Sequence, residues 1–139
     1  MCIRDRYRVI HTIGSGDSPD YHSFTVQTYE GESLFTFNSF IENEAEYEMA
    51  VVELDELAIH SPKVRDMSGV SVGMLVSEVV EIRSNLKFGQ GHLDNYIGEG
   101  KLWYLFNYPH RWGIASSLDE AVNSNSKIDE ISWPYPRWR

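Results

Sequence analysis

The sequence predicts an α+β fold, a mostly antiparallel sheet of two β-meanders in the order βββ-α-βββ, with one short helix packed on a face. Aromatic and β-branched residues cluster in short segments, which is typical of strands. A pattern of tyrosine, glycine, glutamate, aromatic residues and asparagine occurs twice. Between the two copies lies a segment whose valines are spaced as one face of a helix.

The repeated pattern favours an internal duplication. Residues 29–38 and 96–107 both read Tyr-x-Gly-Glu, followed by an aromatic run and Asn. Residues 54–59, Leu-Asp-Glu-Leu-Ala-Ile, correspond to residues 128–133, Ile-Asp-Glu-Ile-Ser-Trp, and a proline follows each of these segments. The predicted units span 21–62 and 87–134.

The first meander is expected to begin with strands at 23–27 and 34–40. A turn at Gly31 joins them, because glycine accepts the positive φ that tight hairpins need. The third strand is expected to end at 57–60, where apolar and polar residues alternate.

The segment 44–57 supports two interpretations. It is rich in good helix formers, and Tyr47, Val51 and Leu54 fall on one helical face. The repeat instead predicts a strand in the C-terminal part of this segment. We expect a loop or a short helical turn to about Glu48 and then a strand, with a helix through residue 57 as the rival.

One helix is expected within residues 69–85. Val76, Val79, Val80 and Arg83 have helical spacing, and the valines are expected to be buried. A short helix so rich in β-branched residues would not form alone, so it needs a sheet to pack on.

The second meander is expected to pair a strand at 87–94 with a strand at 101–107 and to close with a strand at 127–133. Residues 7–133 would then form a single α+β domain. An extended aromatic and basic tail is expected at 134–139, where two prolines prevent regular strand pairing.

The first six residues are expected to be foreign to the natural sequence. Met-Cys-Ile-Arg-Asp-Arg resembles the translation of a transposon end that is used to fragment DNA for sequencing. Natural coding would begin near Tyr7, so the N-terminus carries no information about compartment. The only cysteine, Cys2, lies in this segment, so residues 7–139 contain neither a disulfide nor a thiol nucleophile.

Composition excludes some classes of protein. Hydrophobic residues make up 42% of the chain and aromatic residues 13%, which is typical of a globular domain. The net charge is −9, or −10 without Arg4, Asp5 and Arg6, so nucleic acid is not an expected partner. No apolar run approaches the roughly 20 residues of a membrane helix.

The middle of the chain resembles small bacterial envelope proteins. The resemblance rests on apolar-x-apolar-x-Ser-Pro at 57–62, Gly-Val-x-Val-Gly-Met at 69–74 and Glu-Val at 78–79. The glycine-methionine step at the start of the helix is also similar to SmpA/OmlA-type outer-membrane assembly lipoproteins. Leu75 departs from those families, which usually have a capping Thr or Ser there. The resemblance implies a non-enzymatic, periplasmic or envelope-facing domain, with a cytoplasmic location as the alternative, and it transfers no catalytic residue.

Aromatic residues give two candidate sites. One is a pocket lined by Trp103, Tyr104 and Trp112, with His92 and His110 as polar groups, which would suit a small-ligand-binding protein or an enzyme.

The other is the tail, where Tyr135 and Trp138 stand beside arginine, the residue types that are enriched at protein-binding hot spots. The tail would instead cover the domain's own apolar surface if it folds back.

Two further patterns concern charge. His92 and Asp94 lie two residues apart and would share one face of a strand as a metal-ligand pair, but no second motif supports them, so neither metal nor cofactor is expected.

Acidic residues are concentrated in one stretch and favour a solvated face, with a basic partner as the alternative. They are Glu42, Glu44, Glu46, Glu48, Glu53, Asp55 and Glu56.

The leading hypothesis is a non-enzymatic, extracytoplasmic interaction domain whose partner is another protein. A ligand-binding protein or enzyme is the first alternative. An acidic immunity or inhibitor protein is the second, because its charge would suit a basic target.

Overall fold

The computed structural model describes residues 6–16, 19–48, 51–90, 95–107 and 115–135. Within them lie eight β-strands, two short α-helices and one 3-10 helix. The chain divides into two compact units, Met1–Ala58 and Ile59–Arg139. The fold is therefore mostly β, with antiparallel strands and few helices, and the expected βββ-α-βββ arrangement is not clearly present.

The first unit is a meander of sequential strands in the order β1-β2-β3-β4, and it contains β4 up to Ala58, one residue before this strand ends. Its elements are β1 (Tyr7–Gly14), β2 (Tyr21–Thr28), β3 (Ser33–Phe40), the 3-10 helix (Glu44–Glu48) and β4 (Glu56–Ile59). As expected, Gly31 lies in the turn between β2 and β3 and has φ +94°. The strand β1, which the sequence analysis did not predict, pairs with β2 along its whole length.

The segment before β4 is not a continuous helix. Among the described residues of this segment, Glu44–Glu48 form a 3-10 turn, residues 51–55 are not helical, and the strand begins at Glu56. The side chain of Asn43 accepts a hydrogen bond from the backbone N–H of Ala45 at 3.1 Å. Such a local bond favours a short turn over a long helix.

The second unit has the strand order β8-β7-β6-β5. Its elements are α1 (Val76–Ile82), β5 (Lys87–Gln90), β6 (Asn95–Glu99), β7 (Leu102–Phe106), α2 (Leu118–Asn123) and β8 (Ile128–Trp133). Ile97, Tyr104 and Ile131 form a cross-strand row on β6, β7 and β8. All three are at most 1% exposed, so this row is part of the core.

The predicted strand pairing in the second unit is wrong. β5 pairs with β6, not with the strand at 101–107, and β6 in turn pairs with β7. The repeated glycine explains the difference. Gly31 forms a turn in the first copy, but Gly98 lies inside β6 directly opposite Trp103. A Cβ on Gly98 would lie 2.6 Å from the indole ring, so this position needs glycine for close packing.

The predicted helix is present as α1, over a shorter range than 69–85. Val76 and Val79 are fully buried, Val80 is half-buried and Glu81 is exposed. Leu75 precedes the helix without a side-chain cap, and its N–H donates to the Glu78 carboxylate at 3.1 Å. This bond satisfies the N–H of Leu75, whereas the N–H of Glu78, which a capping Thr or Ser would bind, donates to the backbone oxygen of Leu75 at 3.0 Å.

Glu130 differs from its counterpart in the repeat. The repeat predicts that Asp129 and Glu130 mark the polar start of the last strand, like Asp55 and Glu56. Asp129 is exposed, but Glu130 is only 1% exposed, and Ser132 Oγ donates to its Oε1 at 3.1 Å. A buried carboxylate is tolerated where hydrogen bonds replace its hydration.

The proposed duplication stays a prediction. Both units contain sequential antiparallel strands, and Ile59 and Ile131 are both buried. Their partners in the expected pairs, Leu57 and Trp133, are only half-buried.

Candidate functional site

A cavity of about 290 Å³ lies in the first unit. The side chains that matter for its chemistry are His22, Ser39, Glu42, Glu46, Glu53 and Asp55. His22 on β2 and Ser39 on β3 are directly opposite each other and therefore share one face of the sheet. The carboxylates come from the segment after β3, which crosses this end of the sheet.

A buried histidine anchors the 3-10 helix beside the cavity. His22 is 2% exposed, and its Nε2 lies 2.7 Å from the backbone oxygen of Glu46. A carbonyl oxygen can only accept, so Nε2 must carry the proton and donate. His22 Nδ1 lies 2.8 Å from Nε2 of His11 on β1. When both rings are neutral, His11 therefore donates to His22.

Two of the four carboxylates are held by hydrogen bonds. Asp55 accepts from the backbone N–H of Phe40 at 2.7 Å. Glu46 accepts from the N–H of Glu42 at 2.9 Å and from Asn43 Nδ2 at 2.7 Å. These bonds fix both side chains near the cavity, so their negative charges are preorganised.

The other two carboxylates are available to a ligand. Glu42 and Glu53 are exposed, and within the described residues their side chains make no hydrogen bond or ion pair. No lysine or arginine is among the described residues that line the cavity. The cavity therefore has a negative potential that favours a cationic group.

Ser39 adds a neutral polar group. It is 5% exposed and lines the cavity. A hydroxyl group can donate or accept a hydrogen bond, so Ser39 could contact a polar group of a ligand.

The predicted aromatic pocket stays a prediction, because only Trp103 and Tyr104 of its residues are described. Trp103 and Tyr104 are neighbours on β7, so their side chains point to opposite faces of the sheet. The Trp103 ring packs edge-on against Tyr96, with 5.4 Å between centroids. Trp112, His110 and His92 lie outside the described residues.

Tyr104 belongs to a buried polar network. Its hydroxyl donates to the carboxylate of Asp66 and accepts from Arg83 Nη1 at 2.9 Å. Burial raises the pKa of the Tyr104 phenol, and the bond to Asp66 raises it further, while the bond from Arg83 lowers it. Tyr104 is fully buried, so it is unsuited to contact a ligand directly.

Two of the remaining predicted site residues, Asp94 and Trp138, lie outside the described residues. The third, Tyr135, is described and is 42% exposed. Among the residues that the structure describes, no three His, Cys, Asp or Glu side chains are placed to hold a metal ion. None of the helices among these residues has the length and apolar character that crossing a membrane requires.

The acidic residues are evident in the sequence, but the site is not. His11 and His22 are far apart in sequence, and only the pairing of β1 with β2 makes them neighbours. The high density of carboxylates between residues 42 and 56 was the available signal, and it was interpreted as a solvated face.

Comparison with known proteins gives the fold class. No protein-family model matches the chain, and no curated protein is significantly similar to it. The structure is similar to the crystal structure of the uncharacterized protein yfeY from Escherichia coli, with a TM-score of 0.62 and 16% sequence identity. The match covers 93% of this chain and 82% of that chain. At this identity the likeness concerns the fold alone.

Proposed function

We propose that this chain is a non-enzymatic binding domain of the bacterial cell envelope. The acidic cavity of the first unit would bind a cationic group of its ligand. The observation that carries this proposal is the arrangement of four carboxylates around buried His22 and Ser39 in one concavity. The envelope location rests on the resemblance of residues 57–79 to envelope proteins.

The chemistry of the cavity favours an ammonium or guanidinium group. Glu42 and Glu53 would pair with the positive charge, while Ser39 Oγ would accept one of its N–H donors. Exposed ion pairs contribute only ~0.2–1 kcal/mol each, so a free amine should bind weakly, with a dissociation constant above about 1 mM.

A titration followed by ¹H–¹⁵N NMR tests the proposal. The probes are N-acetyl-lysine amide and its neutral counterpart, N-acetyl-norleucine amide. The lysine compound should shift the backbone signals of His22, Ser39 and Glu53 in a saturable way, and the norleucine compound should not. Equal responses to both compounds would contradict the proposal.

A matched pair of variants identifies the site. Glu53→Gln should weaken binding several-fold, because it removes a carboxylate from the cavity. Glu30→Gln makes the same charge change at an exposed position of the β2–β3 turn and should leave binding unchanged. If both variants weaken binding equally, the response reflects net charge rather than this cavity.

The envelope location has its own test. The natural gene upstream of the codon for Tyr7 should encode a signal peptide, with or without a lipidated cysteine. A gene whose product starts directly before β1 would contradict the location but not the cation site.

The immunity or inhibitor hypothesis is the second candidate. It is favoured by the excess of acidic over basic residues, 21 against 12. A concave site suits a single cationic group better than a broad basic surface, and for this reason we place the binding domain first.

A further inference from the structure

An aromatic ladder crosses the first unit beside the acidic cavity. His11 on β1, Phe24 on β2 and Phe37 on β3 are stacked, with ring centroids 4.6 Å and 4.9 Å apart and planes tilted by 8° and 16°. His22 continues the row toward the cavity, because its ring lies 5.0 Å from that of His11. The histidine pair thus joins the cavity to the ladder.

The ladder is part of an apolar sheet face that stays accessible. Val9 and Ile13 flank His11 on the same side of β1 and are 59% and 49% exposed. Phe24 and Phe37 are only half-buried. Contiguous exposed apolar surface next to polar groups is typical of an interaction site.

We infer that this face binds a peptide segment of a partner protein, in which a lysine or arginine stands beside apolar residues. The inference rests on the proposed function, because the basic side chain enters the acidic cavity. The apolar residues then lie on the ladder and on Val9 and Ile13. The three neighbouring strands β1, β2 and β3 together span about 10 Å across the sheet, which is the length of about three residues of extended peptide.

Charge selects this occupant over a membrane surface. The net charge of −9 repels anionic lipid headgroups, whereas it attracts a basic segment. In the first unit, Arg6 and Arg8 are the basic residues in the described part of the chain, and neither lines the acidic cavity. A basic peptide would therefore meet little repulsion at this face.

Selection from a displayed library of random heptapeptides tests the inference. The full-length protein should enrich peptides that contain a lysine or arginine within three positions of an aromatic or branched apolar residue. Enrichment of acidic peptides, of purely apolar peptides or of no peptide would overturn it. The best peptide is then synthesised with a fluorescent label, and its affinity is measured by fluorescence anisotropy.

Substitutions on the two sides of β1 provide matched variants. Val9→Thr combined with Ile13→Thr should weaken peptide binding about tenfold or more, because a hydroxyl replaces a methyl group in the first change and an ethyl group in the second. Ile10→Thr makes the same kind of change on the opposite side of the strand, where Ile10 is 40% exposed, and should have little effect. Equal effects of the two variants would overturn the inference, provided that circular dichroism shows both to be folded.

The same variants separate this inference from the proposed function. N-acetyl-lysine amide contacts only the cavity, so the Val9→Thr and Ile13→Thr variant should bind it normally. If Glu53→Gln weakens the amide but no peptide depends on Val9 and Ile13, the cation site stands and the peptide site falls. If neither ligand responds to Glu53→Gln, both fall.

Discussion

Single residues in this protein illustrate how burial decides the role of a polar group. Tyr104 appeared in the sequence as a candidate binding residue, but its hydroxyl is committed to Asp66 and Arg83. Asp66 in turn accepts from the backbone N–H groups of Ser68 and Val70, at 2.8 and 2.9 Å. The network therefore ties the loop before α1 to β7, and its role is structural.

Loss of the Tyr104 hydroxyl should destabilise the protein in a pH-dependent way. Tyr104→Phe leaves Asp66 with a missing donor and should cost ~1–3 kcal/mol near neutral pH. The pKa of Tyr104 is raised above its ordinary value of 10.0, so the unfolded chain loses this proton first as the pH rises. Its stabilising contribution is thus complete below pH 10.0 and declines above it.

Urea unfolding between about pH 8 and pH 11 measures this effect. Above pH 10 the wild-type protein should lose stability more steeply than Tyr104→Phe, by up to ~1.4 kcal/mol per pH unit. Tyr29→Phe, at a position that is 56% exposed, should keep the wild-type slope. Parallel slopes for the wild type and Tyr104→Phe would contradict the assigned pKa direction.

At the scale of elements, the short helices depend on their packing. α1 has seven residues, three of them valine, and a helix of this length is not stable alone in water. Its stability comes from buried Val76 and Val79 and from the C-cap residue Arg83, which donates to Tyr104. The spacing of the valines predicted which face is buried.

Truncation of a buried valine tests the helix orientation. Val79→Ala should lower the unfolding free energy by ~1–2.5 kcal/mol, because it removes two buried methyl groups from a site that relaxes only partly. Ser77→Ala, on a half-buried position of the same helix, serves as the control and should cost less. A larger loss for Ser77→Ala than for Val79→Ala in chemical denaturation would mean that the helix faces the other way.

At the scale of the whole molecule, the first strand begins where the expected natural sequence begins. β1 starts at Tyr7, and Arg6 before it is exposed. Met1 to Asp5 lie outside the described residues. The interpretation that the first six residues are foreign stays a prediction, and it leads to a simple test.

Deletion of residues 1–6 should leave the melting temperature unchanged. A foreign segment is not expected to contribute to the stability of the fold, whereas loss of a structural segment has a typical cost of ~1 kcal/mol or more. Differential scanning calorimetry of the full chain and of the deletion variant measures the difference. A clear decrease in melting temperature would show that these residues belong to the fold.

The sequence by itself determined the local features of this protein. Residue type and periodicity involve only positions that are close in sequence. They predicted the strands at 23–27, 34–40 and 57–60, the turn at Gly31 and the buried valines of α1. The same reasoning failed for β1, which was not predicted, and for β6, a separate strand in which Gly98 packs closely against Trp103.

Tertiary structure alone decided the candidate site. The contact between His11 and His22, and the bond from His22 to the backbone of Glu46, join residues that are 11 and 24 positions apart. The carboxylates are present in the sequence, but the fold decides whether they surround a cavity or lie on open surface. Strand pairing joins residues that are distant in sequence, so a short sequence pattern does not predict it. The acidic stretch is therefore recognised as a candidate site only from the paired strands.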